Sequence, residues 1–291
     1  MAEKNVQNTA LGAATCRLIE QYQPAETRLF DDSLAKDMVG TPIRTLMRFG
    51  VMRNFTLKRT DAILQGLYGV QICRTRFIDD AVRAALSTGI GQSVILGAGY
   101  DTRAYRLAGM ERAEVLEVDL ESVQEDKKRK LRSRFGQLPE NVTFVPIDFD
   151  AQTLEAVLAG TVFDPSMPAV YVWEGVTQYL SEESVRRTLA FVGGSAPGSI
   201  LVFTYVLKSM IERRSAIQGA DRLMDVVAKR GSPWLFGLEP SSVPSFLKPY
   251  HLDLTEDVGN TDYQSRYLEP LGRSLVVSEC ERVVQAVVVR P

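Results

Sequence analysis

Five short runs rich in valine and isoleucine recur through the middle of this chain, with helix-length segments between them. They cover residues 94–96, 115–118, 142–147, 169–173 and 200–206. Because the runs do not alternate apolar with polar residues, both faces of each strand should be buried. Buried strands separated by helices are typical of an α/β fold with a mainly parallel sheet. Residues 252–254 and 283–289 are later candidate strands, and we expect the last strand to pair antiparallel.

Helical apolar spacing occurs ahead of these strands. It predicts helices over 9–22, 29–39 and 69–86, whereas 53–59 is basic and poorly periodic. The segment 208–271 interrupts the alternation with methionine, tryptophan, phenylalanine and proline residues. We interpret this segment as an insertion, and its composition suits a mobile apolar cover.

The overall charge is nearly balanced, with 34 Lys and Arg residues against 36 Asp and Glu. We therefore expect no nucleic-acid and no membrane partner, because no whole-molecule field would attract either one. The stretch RFGVMRNFTLKR is the exception, and we interpret it as a solvated helix face. The amino end resembles no signal peptide, no apolar run approaches a membrane span, and the cysteines form no metal pattern. These features predict a cytoplasmic protein without a metal.

The stretch VILGAGYDTR places Gly97, Ala98 and Gly99 directly after the first predicted strand. Open α/β sheets bind ligands at this position, which makes the loop a candidate cofactor site. The dinucleotide pattern GxGxxG would need a third glycine where Thr102 stands, so NAD is disfavoured. An ordinary tight turn from strand to helix remains the alternative.

Acidic residues also end the next three predicted strands. Asp119 comes about twenty residues after the loop, the spacing at which a carboxylate can accept hydrogen bonds from ribose. Asp148 could accept from an adenine amino group while the ring of Phe149 lies near the base. Both aspartates could instead cap the following helix. Glu174 follows an apolar run and needs a cation, which could be a sulfonium cofactor or a nearby arginine.

Five motifs in order, CRTRFIDDAV, VILGAGYDTRAYRL, VLEVDL, VPIDFD and VWEGVTQYLSEE, resemble the leucine carboxyl methyltransferase family, especially its bacterial S-adenosylmethionine-dependent branch. The resemblance implies S-adenosylmethionine on a class I methyltransferase (Rossmann-like) sheet of seven mainly parallel strands with an antiparallel last strand. It also assigns the cofactor contacts: Arg74 to the carboxylate, Gly97 to the methionyl part, Asp119 to ribose, Asp148 and Phe149 to adenine, Glu174 to the amino group, and Arg17 as a further basic contact.

Arg74 has an alternative interpretation as a salt-bridge partner of Asp79 or Glu174. Lysine could not replace its bidentate grip on a carboxylate.

We expect one domain over 1–291, divided into N-terminal helices (1–90), a cofactor-binding core (91–206), a helical lid that covers the substrate (207–271) and a final strand (272–291). The predicted reaction is methyl transfer to a carboxylate or hydroxyl oxygen of a small molecule. The alternatives are a protein C-terminal carboxyl methyltransferase and a non-catalytic S-adenosylmethionine-binding protein. A hydroxyl acceptor would need a base. Tyr179, Tyr205 and His251 are the candidate catalytic residues, and Trp234 is expected to influence acceptor turnover.

Overall fold

One sheet organises the chain. The structure, a computed structural model, describes residues 2–289, without the side chains of 2–6 and 8. Its strands are β1 (Gln92–Leu96), β2 (Glu114–Asp119), β3 (Val142–Pro146), β4 (Ala169–Trp173), β5 (Ile200–Val206), β6 (Leu252–Val258) and β7 (Glu281–Val288). They lie in the order β3-β2-β1-β4-β5-β7-β6. Strands β1 to β5 pair in parallel, and β7 is antiparallel to both β5 and β6. The predicted fold class is confirmed.

Helices cover both faces of this sheet. Those ahead of it are α1 (Ala2–Glu20), α2 (Ala35–Met38), α3 (Thr41–Met47), α4 (Gly50–Ile63) and α5 (Leu67–Ser87). Those between the parallel strands are α6 (Arg103–Arg106), α7 (Glu121–Phe135), α8 (Leu154–Leu158) and α9 (Glu182–Gly193). The last are α10 (Lys208–Ile211), α11 (Ala220–Lys229), α12 (Val243–Leu247) and α13 (Asn260–Tyr263). Among the helices described, none is both long and apolar enough to cross a bilayer.

Four of the five apolar runs, those of β1, β2, β4 and β5, are buried as predicted, whereas β3 at one edge of the sheet is only partly buried. Every residue of β1 and β4 is buried, and two core clusters lie on opposite faces of the sheet. One cluster joins the sheet to α1 and α5, and the other joins it to α8, α9 and α12. Burial on both faces explains why these runs contain no polar alternation.

The stretch RFGVMRNFTLKR, interpreted as a solvated helix face, lies mostly in α4, which has no fully buried residue. Two other predicted segments differ in the structure. The predicted helix over 29–39 is reduced to the single turn of α2, where Asp32 Oδ1 accepts from the Ala35 backbone N–H at 3.1 Å.

The predicted insertion 207–271 is not one unit. β6 lies within it and pairs with β7 from Leu252 opposite Val288 to Val258 opposite Val283. This strand is at the edge of the sheet and is partly exposed, so its sequence carries Asp253, Glu256 and Asp257 instead of a continuous apolar run. The helical insertion is therefore confined to the stretch between β5 and β6.

Candidate functional site

A cavity of about 460 Å³ lies at the carboxyl ends of the first four strands. The residues that follow β1, β2, β3 and β4 form its floor, because parallel strands bring their carboxyl ends to one edge of the sheet. All the residues predicted to contact the cofactor line this one cavity: Arg17, Arg74, Gly97, Ala98, Gly99, Asp119, Asp148, Phe149 and Glu174.

The loop after β1 needs its glycines. Gly97 and Gly99 have φ values of +65° and +42°, in the left-handed region. A Cβ on Gly97 would lie 2.3 Å from Cγ2 of Val176, and one on Gly99 would lie 3.2 Å from Cβ of Ala10. The loop is thus fixed between helix α1 and the turn after β4 that contains Val176, and it lines the cavity.

Asp119 ends β2 and ties the glycine loop to the next strand. Its Oδ2 accepts from the Gly99 backbone N–H at 2.5 Å, and its Oδ1 accepts from Leu120 N–H at 2.7 Å. Helix α7 begins without a side-chain cap, so the helix-cap interpretation of Asp119 is wrong. Burial raises the pKa of this carboxyl, and the two backbone donors oppose that rise. A carboxylate has further lone pairs, which leaves acceptor capacity toward the cavity.

Asp148 and Phe149 lie in the turn after β3. Asp148 is exposed, and its Oδ1 accepts from the Asp150 backbone N–H at 3.0 Å. Helix α8 is capped by Thr153 instead, whose hydroxyl accepts from Ala156 N–H at 3.3 Å. The helix-cap alternative for Asp148 is therefore also wrong.

Arg74 is buried, and it is bound by two carboxylates. Its Nε donates to Glu174 Oε1 at 2.8 Å, and its Nη1 donates to both Glu281 oxygens at 2.6 and 2.5 Å. Burial opposes its charge, but Glu281 and Glu174 outweigh burial and raise the pKa of Arg74. The predicted salt bridge to Glu174 is present, whereas Asp79 pairs with Arg103 and Arg106 instead. Arg74 nevertheless borders the cavity beside Gly175.

Arg103 lies at the centre of a cluster of buried charged side chains, and no sequence motif assigned it a role. It is 2% exposed and donates from Nε to Asp79 Oδ1 at 2.7 Å. Its Nη1 donates to Asp101 Oδ2 at 2.5 Å and to Glu174 Oε2 at 2.6 Å. These charges act on their partners: Arg103 holds the pKa of Asp101 at about 2 and that of Glu174 below its ordinary value, although burial opposes both effects. Its position shortly after the glycine loop is the sequence signal that could have identified it.

The same cluster extends to helix α1 through Arg17. This arginine donates from Nε to Asp32 at 2.9 Å and from Nη2 to the backbone carbonyl of Tyr100 at 2.5 Å. Asp79 connects the two parts, because Arg106 donates to it at 2.6 Å and also lies 3.8 Å from Asp32. Arg17 thereby fastens α1 to the loop that follows Gly99.

Of the three candidate catalytic residues, Tyr179 alone lines the cavity. Burial raises the pKa of Tyr179, while polar contacts from Trp234 and Thr9 act in the opposite direction. Tyr205 is fully buried, and its hydroxyl donates to Asp257 Oδ2 at 2.9 Å. His251 is exposed and precedes β6. Because β6 runs in the direction of β5, His251 lies at the opposite edge of the sheet.

The cover of the cavity comes from two distant segments. Helix α1 contributes Thr9, Ala10, Ala13 and Arg17. The stretch after α11 contributes Gly231, Ser232, Pro233 and Leu235. Trp234 is not among the lining residues and packs against the larger core cluster.

The strand order, the antiparallel seventh strand and the cavity at the strand ends define the class I methyltransferase fold. A crystal structure described as a methyltransferase from Thermobifida fusca superposes with a TM-score of 0.60 at 18% identity, over 83% of this chain and 90% of that chain. A DUF574 family protein from Streptomyces avermitilis superposes with a TM-score of 0.53 at 15% identity, over 95% and 96%. At these identities the likeness establishes the fold.

The chain belongs to the leucine carboxyl methyltransferase family, whose model matches residues 10–193. A Streptomyces coelicolor protein named an S-adenosyl-L-methionine-dependent methyltransferase is 35% identical over 172 residues, covering 57% of this chain and 60% of that protein. A Mycobacterium avium protein with the same designation is 36% identical over 196 residues, covering 66% and 61%. The chain thus spans about three-fifths of the length of these relatives.

Proposed function

We propose that this chain is an S-adenosylmethionine-dependent methyltransferase that methylates a carboxylate or hydroxyl oxygen of a small molecule. The observation that carries the proposal is the convergence of all the predicted cofactor residues on one cavity. These residues come from helices α1 and α5 and from four strand ends, so their convergence is a property of the fold. Family membership and the names of the relatives support the same activity.

The chemistry of the cavity suits this cofactor. Arg74 and Glu174 adjoin each other in its wall, which offers opposite charges to a ligand that carries both a carboxylate and an ammonium group. Asp119 supplies an acceptor for ribose hydroxyls, and Phe149 supplies a ring for a base. The cavity volume of about 460 Å³ lies within the range of roughly 300–1,000 Å³ for small-molecule sites.

Few side chains have to react in such an enzyme. S-adenosylmethionine, when bound, supplies an electrophilic methyl group on a positively charged sulfur. The chain has to align the acceptor oxygen with that methyl group and exclude water. The cover formed by α1 and residues 231–235 is placed to do so. A tyrosine is protonated at neutral pH, and burial raises the pKa of Tyr179 further, so Tyr179 can donate a hydrogen bond to the acceptor but is a poor base.

Two measurements test the proposal. Calorimetry should show one-to-one binding of S-adenosylmethionine and of its demethylated product, and tighter binding of either than of NAD. A screen of small acids, phenols and alcohols, read by mass spectrometry, should then find a product that carries one added methyl group. NAD binding more tightly than S-adenosylmethionine would overturn the assignment of S-adenosylmethionine as the cofactor. Tight cofactor binding without turnover on any acceptor, including peptides with a free carboxyl terminus, would favour a non-catalytic binding protein.

A further inference from the structure

Helix α4 and the turn before it carry an exposed apolar and basic surface that the proposed reaction does not use. Phe49, Val51 and Phe55 are 61%, 79% and 52% exposed. Arg48, Lys58 and Arg59 are also exposed, and the guanidinium of Arg59 lies 5.7 Å from the ring centroid of Phe55. We call these six residues the basic ridge. Large apolar side chains clustered in this way on a surface mark an interaction site.

The ridge is a distinct face of its helix. Val51, Phe55, Lys58 and Arg59 follow the spacing that places residues on one side of a helix, and all four are exposed. Met52 and Leu57 of the same helix are partly buried and pack toward the core. Residues 41–63 contain five basic residues and one acidic residue, in a chain whose net charge is −2. The positive charge is therefore local, and the overall balance conceals it.

The helix that carries the basic ridge contacts α11, and α11 leads to the cavity cover. Arg222 of α11 donates to the backbone carbonyl of Ala62 at the end of α4. A Cβ on Gly219, which precedes α11, would lie 2.7 Å from the carbonyl oxygen of Ile63. Helix α11 then leads to Gly231, Ser232 and Pro233 in the cavity wall. A binding partner of α4 would therefore also restrain α11, the helix next to the cover.

We propose that the basic ridge docks on the surface of an anionic lipid bilayer. A convex helix with aromatic and aliphatic side chains beside lysine and arginine suits the boundary between headgroups and acyl chains. A second copy of the chain fits less well, because a two-fold contact would bring the basic residues together. Single-stranded nucleic acid would need a groove that tracks its backbone, whereas this surface projects outward. This proposal departs from the expectation of no membrane partner, which rested on the balanced overall charge and on the lack of an apolar run of membrane-span length.

The test is flotation of the full chain with lipid vesicles. Vesicles of phosphatidylcholine with one-third phosphatidylglycerol should carry the protein, and vesicles of pure phosphatidylcholine should carry much less. Binding should fall when salt is raised to about 0.5 M, because salt screens exposed charges. The variant Phe49→Ser/Phe55→Ser should lower the partition coefficient at least about tenfold on anionic vesicles. Lys58→Glu/Arg59→Glu should abolish the preference for anionic lipid.

Helix α7 offers a matched control, because it also exposes a basic and an aromatic residue. Arg129 is paired with Asp126, and Phe135 is 42% exposed. The variant Arg129→Glu/Phe135→Ser should float as the wild type does, and unchanged circular dichroism should accompany every variant. Absence of wild-type flotation at low salt would overturn the proposal. Equal flotation of the ridge variants, loss of flotation in the α7 control, or binding of a single-stranded oligonucleotide but not of vesicles would do the same.

Discussion

The floor and the cover of the cavity are built in different ways. The floor consists of residues at strand ends, and ion pairs or backbone hydrogen bonds fix its side chains: Arg103 joins Asp101 to Glu174, and Asp119 holds Gly99. The cover consists of one face of α1 and the stretch 231–235, where Leu235 is 56% exposed. A rigid floor suits cofactor binding, whereas an exposed cover suits an acceptor that must enter and leave.

The floor and the cover also differ in how deeply their side chains are buried. Arg103 is 2% exposed and Arg74 is 4% exposed, and both are surrounded by carboxylates. Removing Arg103 takes the cation from Asp101 and leaves Glu174 and Asp79 buried with one arginine partner fewer. Changes in the floor should therefore act on stability and cofactor affinity, whereas changes in the cover should act on the acceptor.

The largest expected effect is that of Arg103→Leu. Because it would leave Asp79, Asp101 and Glu174 without their shared cation, we expect the free energy of unfolding to fall by about 3–5 kcal/mol. Urea unfolding followed by circular dichroism measures it. Arg129→Leu is the control, since the Arg129 side chain is 74% exposed, and it should change stability by less than about 0.5 kcal/mol. Equal stabilities would contradict a rigid, charge-held floor.

Sequence patterns identified the strand-end residues of the floor because each of them lies next to a strand, whereas Arg74 in the middle of α5 was assigned through the family resemblance. The predicted bounds of β4 and β5 coincide with the structure, since both are continuous buried runs. The partly exposed edge strand β6 was predicted only over 252–254 and continues to Val258. Local motifs thus indicate the buried sheet and the residues at its strand ends, but they describe its exposed edge poorly.

Partners that are distant in the sequence could not be found in this way. Glu281 is 207 residues from Arg74 and has no motif around it, so only the antiparallel pairing of β7 brings it to the site. The same holds for the cover, because 231–235 reaches the cavity through the packing of α11. Tyr205 and His251 do not line the cavity for the same reason: their positions in the sequence did not show which edge of the sheet, or which partner, they would face.

Asp119→Ala tests the floor through the proposed ribose contact. We expect S-adenosylmethionine affinity to fall by about 1.5–3 kcal/mol, the range for a hydrogen bond to a charged group. Loss of the tie to Gly99 contributes to the same effect. Calorimetry measures it, with Asp164→Ala in an exposed surface turn as the control. If a folded Asp119→Ala protein bound S-adenosylmethionine with wild-type affinity, Asp119 would not be the ribose contact.

Arg74→Lys tests whether the floor recognises a carboxylate. Glu174 and Glu281 already engage Nε and Nη1 of Arg74, so its Nη2, beside Gly175, has to supply the carboxylate contact. A lysine has one nitrogen and cannot hold both glutamates and the cofactor, so S-adenosylmethionine should bind at least about tenfold more weakly, or about 1.4 kcal/mol. Decarboxylated S-adenosylmethionine should bind the wild type and the variant alike. Arg76→Lys is the control, because Arg76 is partly exposed and pairs with Asp80 at 2.8 Å. Equal losses for both ligands would mean that Arg74 supports Glu174 and Glu281 without contacting the carboxylate.

The smallest expected effect is at the cover, where two adjacent residues should behave differently. Leu235 lines the cavity and is 56% exposed, whereas Trp234 packs against the core. Removing the partly exposed leucine side chain should weaken acceptor binding by about 1 kcal/mol, so Leu235→Ala should raise the acceptor KM roughly fivefold.

The same substitution should leave the dissociation constant of the cofactor unchanged, because the floor holds that ligand. Trp234→Ala should instead lower the free energy of unfolding, since it removes buried contacts with the core. The effect of Trp234 on acceptor turnover stays a prediction, because Trp234 also makes a polar contact with Tyr179 in the cavity wall. Steady-state kinetics with the acceptor found in the turnover screen, together with calorimetry and urea unfolding, separates the two residues. If Leu235→Ala weakened cofactor and acceptor equally, the cavity would not divide into a floor for one ligand and a cover for the other.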